Sequence, residues 1–155
     1  IGSFGNEDFI TMDDWGNGSI TNRHSNLLLQ MDIESAEYES LLNMSDQLLN
    51  RFRLIVIEFH QLDQFGNLPF FNITSNAFRK ILKSHRCVHI HPNNFHATVR
   101  EGDLEIPPLA EFTFLRKDRI RNPFFATNFP HPLDHDNTAK PSFPLPQCWY
   151  SKESD

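Results

Sequence analysis

The sequence predicts an α/β fold whose sheet is mainly parallel, with an antiparallel last strand. Two nearly continuous apolar runs, residues 27–33 and 54–60, are typical of strands buried on both faces of a parallel sheet. Segments with helical spacing separate the predicted strands, and such alternation implies right-handed βαβ units. The last predicted strand, residues 110–116, follows its predecessor without a helix, so we expect it to enter the sheet antiparallel.

The remaining elements follow from apolar spacing and from residues that begin or end a helix. Leucines at an i, i+1, i+7, i+8 spacing predict a helix over residues 36–50, with Ser35 as its N-cap. A shorter helix is predicted over residues 75–84. A third strand follows over residues 87–91, and Pro92 ends it.

Composition divides the chain into two parts. Residues 1–121 contain all the predicted elements, including a short strand and turn over 9–15 and a turn over 102–108. Six of the ten prolines lie in 123–146, which predicts an extended tail over 122–155 that wraps the surface.

Charge and cysteine content exclude several classes of protein. The net charge of −6 argues against nucleic acid as a partner, because phosphate binding needs a basic face. No apolar run approaches the roughly 20 residues of a membrane-spanning helix, so we expect no membrane partner. The two cysteines, Cys87 and Cys148, lack metal spacing and indicate free thiols in a reducing, cytoplasmic compartment.

Polar side chains follow the three predicted strands at the points where the strands end. They are Asp32 and Glu34 after the first, Glu58 and His60 at the end of the second, and His89, His91, Asn93 and Asn94 at the end of the third. Open α/β sheets bind ligands outside the carboxyl ends of their strands. These residues therefore predict a ligand site.

Each of these residues also has a purely structural explanation. Asp32 or Glu34 can cap the following helix, and Glu58 can be a solvated strand end. His89 and His91 lie on the same face of a strand and could bind a metal. We expect instead a polar substrate pocket, or imidazoles hydrogen-bonded to backbone, and assign no metal ligand.

Other motifs and histidines give less information. Asn93 and Asn94 after Pro92 are also typical of a turn. The chain has no glycine-rich dinucleotide loop, no phosphate loop and no nucleophile elbow. Five histidines have no partner visible in the sequence and are predicted on the surface or in loops: His24, His85, His96, His131 and His135.

Four segments resemble one enzyme family. Residues 28–37, LLQMDIESAE, are similar to the L-K-x-D-(I/V)-E-G-A-E signature of the FkbM-type methyltransferases. Residues 54–60, 88–94 and 111–118 resemble the segments that follow this signature in some members. The resemblance covers about residues 7–120, and the ordered set is much more specific than the first motif alone.

The resemblance implies a fold and a reaction. The fold is the C-terminal half of a class I (Rossmann-like) methyltransferase sheet, comprising strands four to seven, with the seventh antiparallel between the fifth and sixth. The reaction is methyl transfer from S-adenosylmethionine to a hydroxyl of a sugar or small natural product. The candidate catalytic residues, which would orient or deprotonate the hydroxyl, are Asp32, Glu34, Glu58 and His60. The candidate substrate-binding residues are Glu37, His89, His91, Asn93 and Asn94.

Two departures from the family pattern matter. Ser35 stands where the signature has glycine, and glycine permits a close backbone approach that serine does not. The first three strands of the fold, which hold the cofactor, have no counterpart in the 26 residues before Leu27. We therefore expect the chain alone to bind S-adenosylmethionine weakly or not at all, and to associate through the unprotected edge of the first predicted strand.

Two other functions are compatible with the sequence. One is a metal-dependent enzyme that uses His60, His89, His91 and a carboxylate. The other is a non-catalytic α/β module whose exposed sheet edge pairs with a partner chain.

Overall fold

A four-stranded mixed sheet organises this α/β fold, which a computed structural model describes over residues 10–20 and 26–150. The sheet contains β1, β2, β3 and β6, while β4 and β5 form a separate hairpin. The strand bounds are β1 Leu27–Met31, β2 Phe52–Phe59, β3 His85–Pro92, β4 Val99–Glu101, β5 Leu104–Ile106 and β6 Ala110–Arg116.

The strand order is β1-β2-β6-β3, with β1 parallel to β2 and β6 antiparallel to both β2 and β3. The antiparallel entry of the last strand and its place between its two neighbours agree with expectation. The expectation of a mainly parallel sheet is wrong at the level of strand pairs. Although β1, β2 and β3 run in one direction, β6 separates β2 from β3, so only one of three pairs is parallel.

Four α-helices occur among the described residues. They are α1 Met12–Ser19, α2 Glu37–Asn43, α3 Asp46–Leu49 and α4 Leu68–Ser84, with 3-10 turns at Leu62–Gly66, Lys117–Arg119 and Gln147–Trp149. None of the helices in this part of the chain has the length and apolar character needed to cross a membrane.

The predicted helix over residues 36–50 is two helices, because Ser45 interrupts it. Ser45 is extended (φ −67°, ψ 149°) and caps α3 by accepting a hydrogen bond from the amide of Leu48. Its own amide donates to the carboxylate of Asp13 in α1, over 2.7 Å. The N-cap of α2 is Ala36 rather than Ser35, without a side-chain hydrogen bond.

Three further boundaries differ from the sequence prediction. The helix predicted from Ser75 begins at Leu68, because the Asn67 side chain accepts from the amide of Phe70. The predicted turn over 102–108 belongs largely to the β4–β5 hairpin, which turns at Gly102 with φ +60°. The strand predicted within 9–15 is the start of α1 from Met12, and Phe9 lies outside the described residues.

The hydrophobic core joins one face of the sheet to helices α2, α3 and α4. Ile55, Ile57 and Phe59 of β2 are fully buried on this face, and the Phe59 ring packs 4.6 Å from that of Phe78 in α4. The first strand is not buried on both faces as predicted, since Leu28 is 61% exposed. This core fixes the direction of β2 and therefore the position of the residues at its end.

The outer edge of β1 pairs with no other strand among the described residues. Self-association through this edge stays a prediction. The segment after Arg119 contains no helix or strand in the described part, apart from the 3-10 turn at Gln147–Trp149. It is attached near its end by the Trp149 indole, which donates to the carbonyl of Glu105 over 2.8 Å.

Candidate functional site

The carboxyl ends of β1, β2 and β3 meet at one edge of the sheet, since the three strands run in one direction. The imidazole of His60 lies at this edge. Five of the sequence-predicted residues surround it or contact its neighbours, namely Asp32, Glu34, Glu37, Glu58 and Asn93.

His60 lies at the centre of this group and is only 8% exposed. Its Nε2 atom is 3.4 Å from a Glu34 carboxylate oxygen and 3.8 Å from one of Asp32. A Glu58 oxygen lies 3.9 Å from the same nitrogen. On the other side of the ring, Nδ1 is 3.2 Å from Glu37 Oε1 but makes no hydrogen bond. Four carboxylates thus surround the imidazole, and none of them accepts a hydrogen bond from it.

Glu37 is fully buried and shapes the turn after β1. Its Oε1 accepts from the amides of Ile33 (3.0 Å) and Ser35 (3.2 Å), while Oε2 has no hydrogen-bond partner. Glu34 and Ser35 have φ of 54° and 83°, in the left-handed region that favours glycine. Ser35 therefore adopts a left-handed conformation that glycine adopts at lower cost, and the Glu37 carboxylate accepts its amide.

The backbone at His60 is held by Tyr38. The Tyr38 hydroxyl donates to the His60 carbonyl over 2.6 Å. Burial raises the pKa of Tyr38, and the nearby carboxylates of Glu37 and Asp63 raise it further. The phenol therefore stays a hydrogen-bond donor. The next residue, Gln61, has φ +60°, so β2 ends sharply after His60.

Glu58 connects the group around His60 to the end of β3. Its Oε1 accepts from the Asn93 side-chain amide over 2.8 Å, and Asn93 Oδ1 accepts from the amide of Phe95 over 2.9 Å. These bonds orient one carboxylate oxygen of Glu58 away from His60. The other oxygen, Oε2, faces the imidazole.

A small polar cavity of about 210 Å³ adjoins the other side of Glu58. Its lining comes from the ends of β2, β3 and β6 and from the tail: Glu58, His89, His91, Asn93, Glu111, Leu133, Asp134, His135 and Asn137. His89 Nε2 lies 2.9 Å from Asp134 Oδ1, and His91 Nδ1 lies 3.6 Å from Oδ2. His89 and His91 therefore share one acidic partner, Asp134.

Asn94 faces the tail rather than the cavity. Its amide nitrogen donates to the carbonyls of Thr138 and Lys140, and its oxygen accepts from the amide and hydroxyl of Thr138. Both donors and the acceptor are thus occupied. Asn94 therefore holds the tail in place. Its side chain has no free polar atom for the predicted contact with a substrate.

Sequence reasoning missed the contribution of the tail. Asp134 lies 45 residues from His89 in a segment without periodicity, so no local pattern indicates the pair. A surface or loop position was predicted for His85, which is wrong because the residue begins β3 and its side chain is fully buried. Cys87 and Cys148 are free thiols, as expected, and burial raises the pKa of Cys87 to about 11.

The two clusters offer different chemistry. Around His60, an imidazole without a hydrogen bond at Nδ1 is close to four carboxylates and could accept a proton or bind a cation. Around Asp134, the imidazoles are engaged by the tail and offer a polar surface for hydroxyl groups. Comparison with models of known protein families found no match, and comparisons with curated proteins and with solved structures found none either.

Proposed function

We propose that these residues form the acceptor-binding part of an S-adenosylmethionine-dependent methyltransferase, acting on a hydroxyl of a sugar or small natural product. The supporting observation is the strand order β1-β2-β6-β3 with His60 and its carboxylates at the carboxyl edge. This is the order and location that the resemblance to FkbM-type methyltransferases implies for the last four strands of that fold.

The cavity beside Glu58 does not fit the cofactor itself. The cavity at this edge measures about 210 Å³, whereas pockets for drug-sized ligands measure about 300 to 1,000 Å³. Carboxylates and imidazoles line it, which suits a polar acceptor better than an adenosyl group. The proposal therefore assigns acceptor binding to these residues and no step to the cofactor.

His60 is the proposed proton acceptor. Its Nε2 faces the open side of the cluster, where Asp32 and Glu34 have side chains 56% and 87% exposed. A hydroxyl hydrogen-bonded to these carboxylates can pass its proton to Nε2. The buried Glu37 carboxylate, 3.2 Å from Nδ1, would stabilise the resulting imidazolium.

The test is transfer of a radiolabelled methyl group to a panel of sugar and natural-product hydroxyls by the full translation product of the gene. His60→Gln should lower kcat about 100-fold or more, which is the usual contribution of a general base. The matched control is His96→Gln, because His96 is exposed and outside the cluster. It should retain activity.

Two results would contradict the proposal. One is the absence of both S-adenosylmethionine binding and methyl transfer in the full translation product. The other is equal activity of the His60→Gln and His96→Gln variants. Calorimetric titration of S-adenosylmethionine and S-adenosylhomocysteine into the 155-residue chain should release no heat. Micromolar binding would show a cofactor pocket within it and overturn the assignment of these residues to the acceptor alone.

A further inference from the structure

We propose that Asp32, Glu58 and His60 bind a divalent transition-metal ion at the carboxyl edge of the sheet. One potential ligand atom from each of the three residues lies within 4.8 Å of the others. This ligand set differs from one built on the H-x-H pair of β3. It can be tested without methyl transfer, because metal binding can be measured without an acceptor or a cofactor. A metal on Nε2 of His60 and proton transfer to the same atom exclude each other, so the metal-bound chain would not use His60 as the proton acceptor.

The two distances from His60 are compatible with a single ion. Two ligands that each lie about 2.1 Å from one metal are at most about 4.2 Å apart. Nε2 of His60 is 3.8 Å from Asp32 Oδ1 and 3.9 Å from Glu58 Oε2. The Asp32 side chain is 56% exposed, so it can move by the fraction of an ångström that would complete the site.

The environment of His60 provides an independent indication. A metal-bound histidine usually donates its second ring N–H to a carboxylate, which fixes the ring and its tautomer. The Nδ1 atom of His60 is buried, has no hydrogen-bond partner and lies 3.2 Å from Glu37 Oε1. With a metal on Nε2, Nδ1 would carry the proton, and a reorientation of the ring would let it donate a hydrogen bond to Glu37.

Charge balance also favours a cation. Four carboxylates, from Asp32, Glu34, Glu37 and Glu58, lie within 4.0 Å of one imidazole. Among the described residues, no lysine or arginine forms an ion pair with any of them. Carboxylates at such short range repel one another, and one imidazolium offsets a single charge. A divalent ion would offset two.

The ligand types indicate which ions fit. Imidazole suits zinc, iron, copper and nickel, whereas carboxylates suit manganese, magnesium and calcium. One imidazole with two carboxylates therefore favours Mn²⁺, Fe²⁺ or Zn²⁺. Three protein ligands leave coordination positions open for an oxygen ligand such as water or a hydroxyl.

The neighbouring histidines are a weaker alternative. His89 Nε2 already contacts Asp134 over 2.9 Å, and His91 Nε2 contacts the carbonyl of His135 over 3.1 Å. A metal at this position would have to displace both contacts and release the tail. The site around His60 requires no such displacement.

The experiment is titration of Mn²⁺ into the 155-residue chain at pH 7.5. Binding is measured by calorimetry and by the electron paramagnetic resonance signal of free Mn²⁺. One equivalent should bind with a micromolar Kd. Asp32→Asn should weaken binding at least 10-fold, and His60→Ala should abolish it. Because Asp32 is exposed, its variant tests the site even if His60→Ala does not fold.

Two control variants separate this site from the neighbouring cavity. His89→Ala and Glu111→Gln alter cavity residues outside the proposed ligand set, and their Mn²⁺ affinity should stay within 3-fold of the unaltered chain. Failure of the folded chain to bind Mn²⁺ up to 1 mM would overturn the proposal. So would loss of binding in His89→Ala, or undiminished binding in Asp32→Asn.

Discussion

Two buried histidines occupy opposite ends of the same sheet, and their surroundings differ. His85 begins β3 and is fully buried. One ring nitrogen contacts the Phe52 carbonyl over 2.8 Å, and the other contacts the Ser84 hydroxyl over 2.9 Å. His60 follows β2 at the other end and is also buried, at 8% exposure, but its Nδ1 has no hydrogen-bond partner.

The contrast extends to the backbone. Of the four non-glycine residues described with positive φ, Glu34, Ser35 and Gln61 lie at the His60 end. Left-handed conformations cost free energy for residues with a side chain. Buried polar groups are normally hydrogen-bonded, and exceptions need an explanation. The His85 imidazole is thus satisfied and contributes stability, whereas the His60 end carries an unsatisfied imidazole nitrogen and strained backbone, as functional sites do.

Replacing each of the two histidines with leucine should give the largest difference in the free energy of unfolding. His85→Leu removes both hydrogen bonds and leaves the Phe52 carbonyl without its imidazole donor, so we expect the free energy of unfolding to fall by about 2 to 3 kcal/mol. His60→Leu removes no hydrogen bond of the ring, and we expect a change of about 1 kcal/mol or less. Urea denaturation followed by circular dichroism measures both. Equal losses would show that the two ends do not differ in this way.

Lowering the pH should reduce the stabilising contribution of His85. Burial lowers the pKa of His85, and the Arg116 charge lowers it further, against the hydrogen bond to Phe52, which raises it. A histidine with a lowered pKa in the folded state binds protons more readily when unfolded. Its stabilising contribution is therefore complete above about pH 6.5 and declines as the pH falls below that value.

The measurement is the urea midpoint at pH 7.5 and pH 5.5. The unaltered chain should lose more stability over this interval than His85→Leu, because the variant lacks the titrating group. A decline of the same size in both proteins would assign the acid sensitivity to other residues.

The smallest expected effect concerns the strained turn after β1. Ser35→Gly should raise the free energy of unfolding by about 0.5 to 1 kcal/mol, because glycine adopts φ of 83° without the cost that serine incurs. Ala36→Gly is the matched control. Ala36 has φ of −88°, so the change should give no gain. A gain in both variants, or in neither, would argue against strain at Ser35.

The strands were predictable because their signal is local. Residues 27–33 and 54–60 carry apolar runs that need no knowledge of the rest of the chain. The place of β6 between β2 and β3 came from the family resemblance, since periodicity does not determine strand order. The grouping of Asp32, Glu34, Glu58 and His60 followed from the rule that ligand sites lie at carboxyl ends.

What could not be predicted depends on distant partners. Ser45 divides the predicted helix partly because it contacts Asp13, 32 residues earlier. His85 is buried against the Phe52 carbonyl, 33 residues away. Asp134 reaches His89 from a segment with no periodic pattern at all. In each case the residue type was visible in the sequence, but its neighbour in space was not.

The attachment of the tail by Asn94 has a consequence for how this protein could change its preference among ligands. The sheet supplies Glu58, His89 and Glu111, whereas Leu133 and Asp134 of the tail supply one wall of the cavity. Replacing residues of that wall interrupts no strand or helix, since the described tail has regular structure only at Gln147–Trp149. Under the proposed function, selectivity can therefore be altered by replacing tail residues, in evolution or by design, while the proposed reactive groups and the core stay intact.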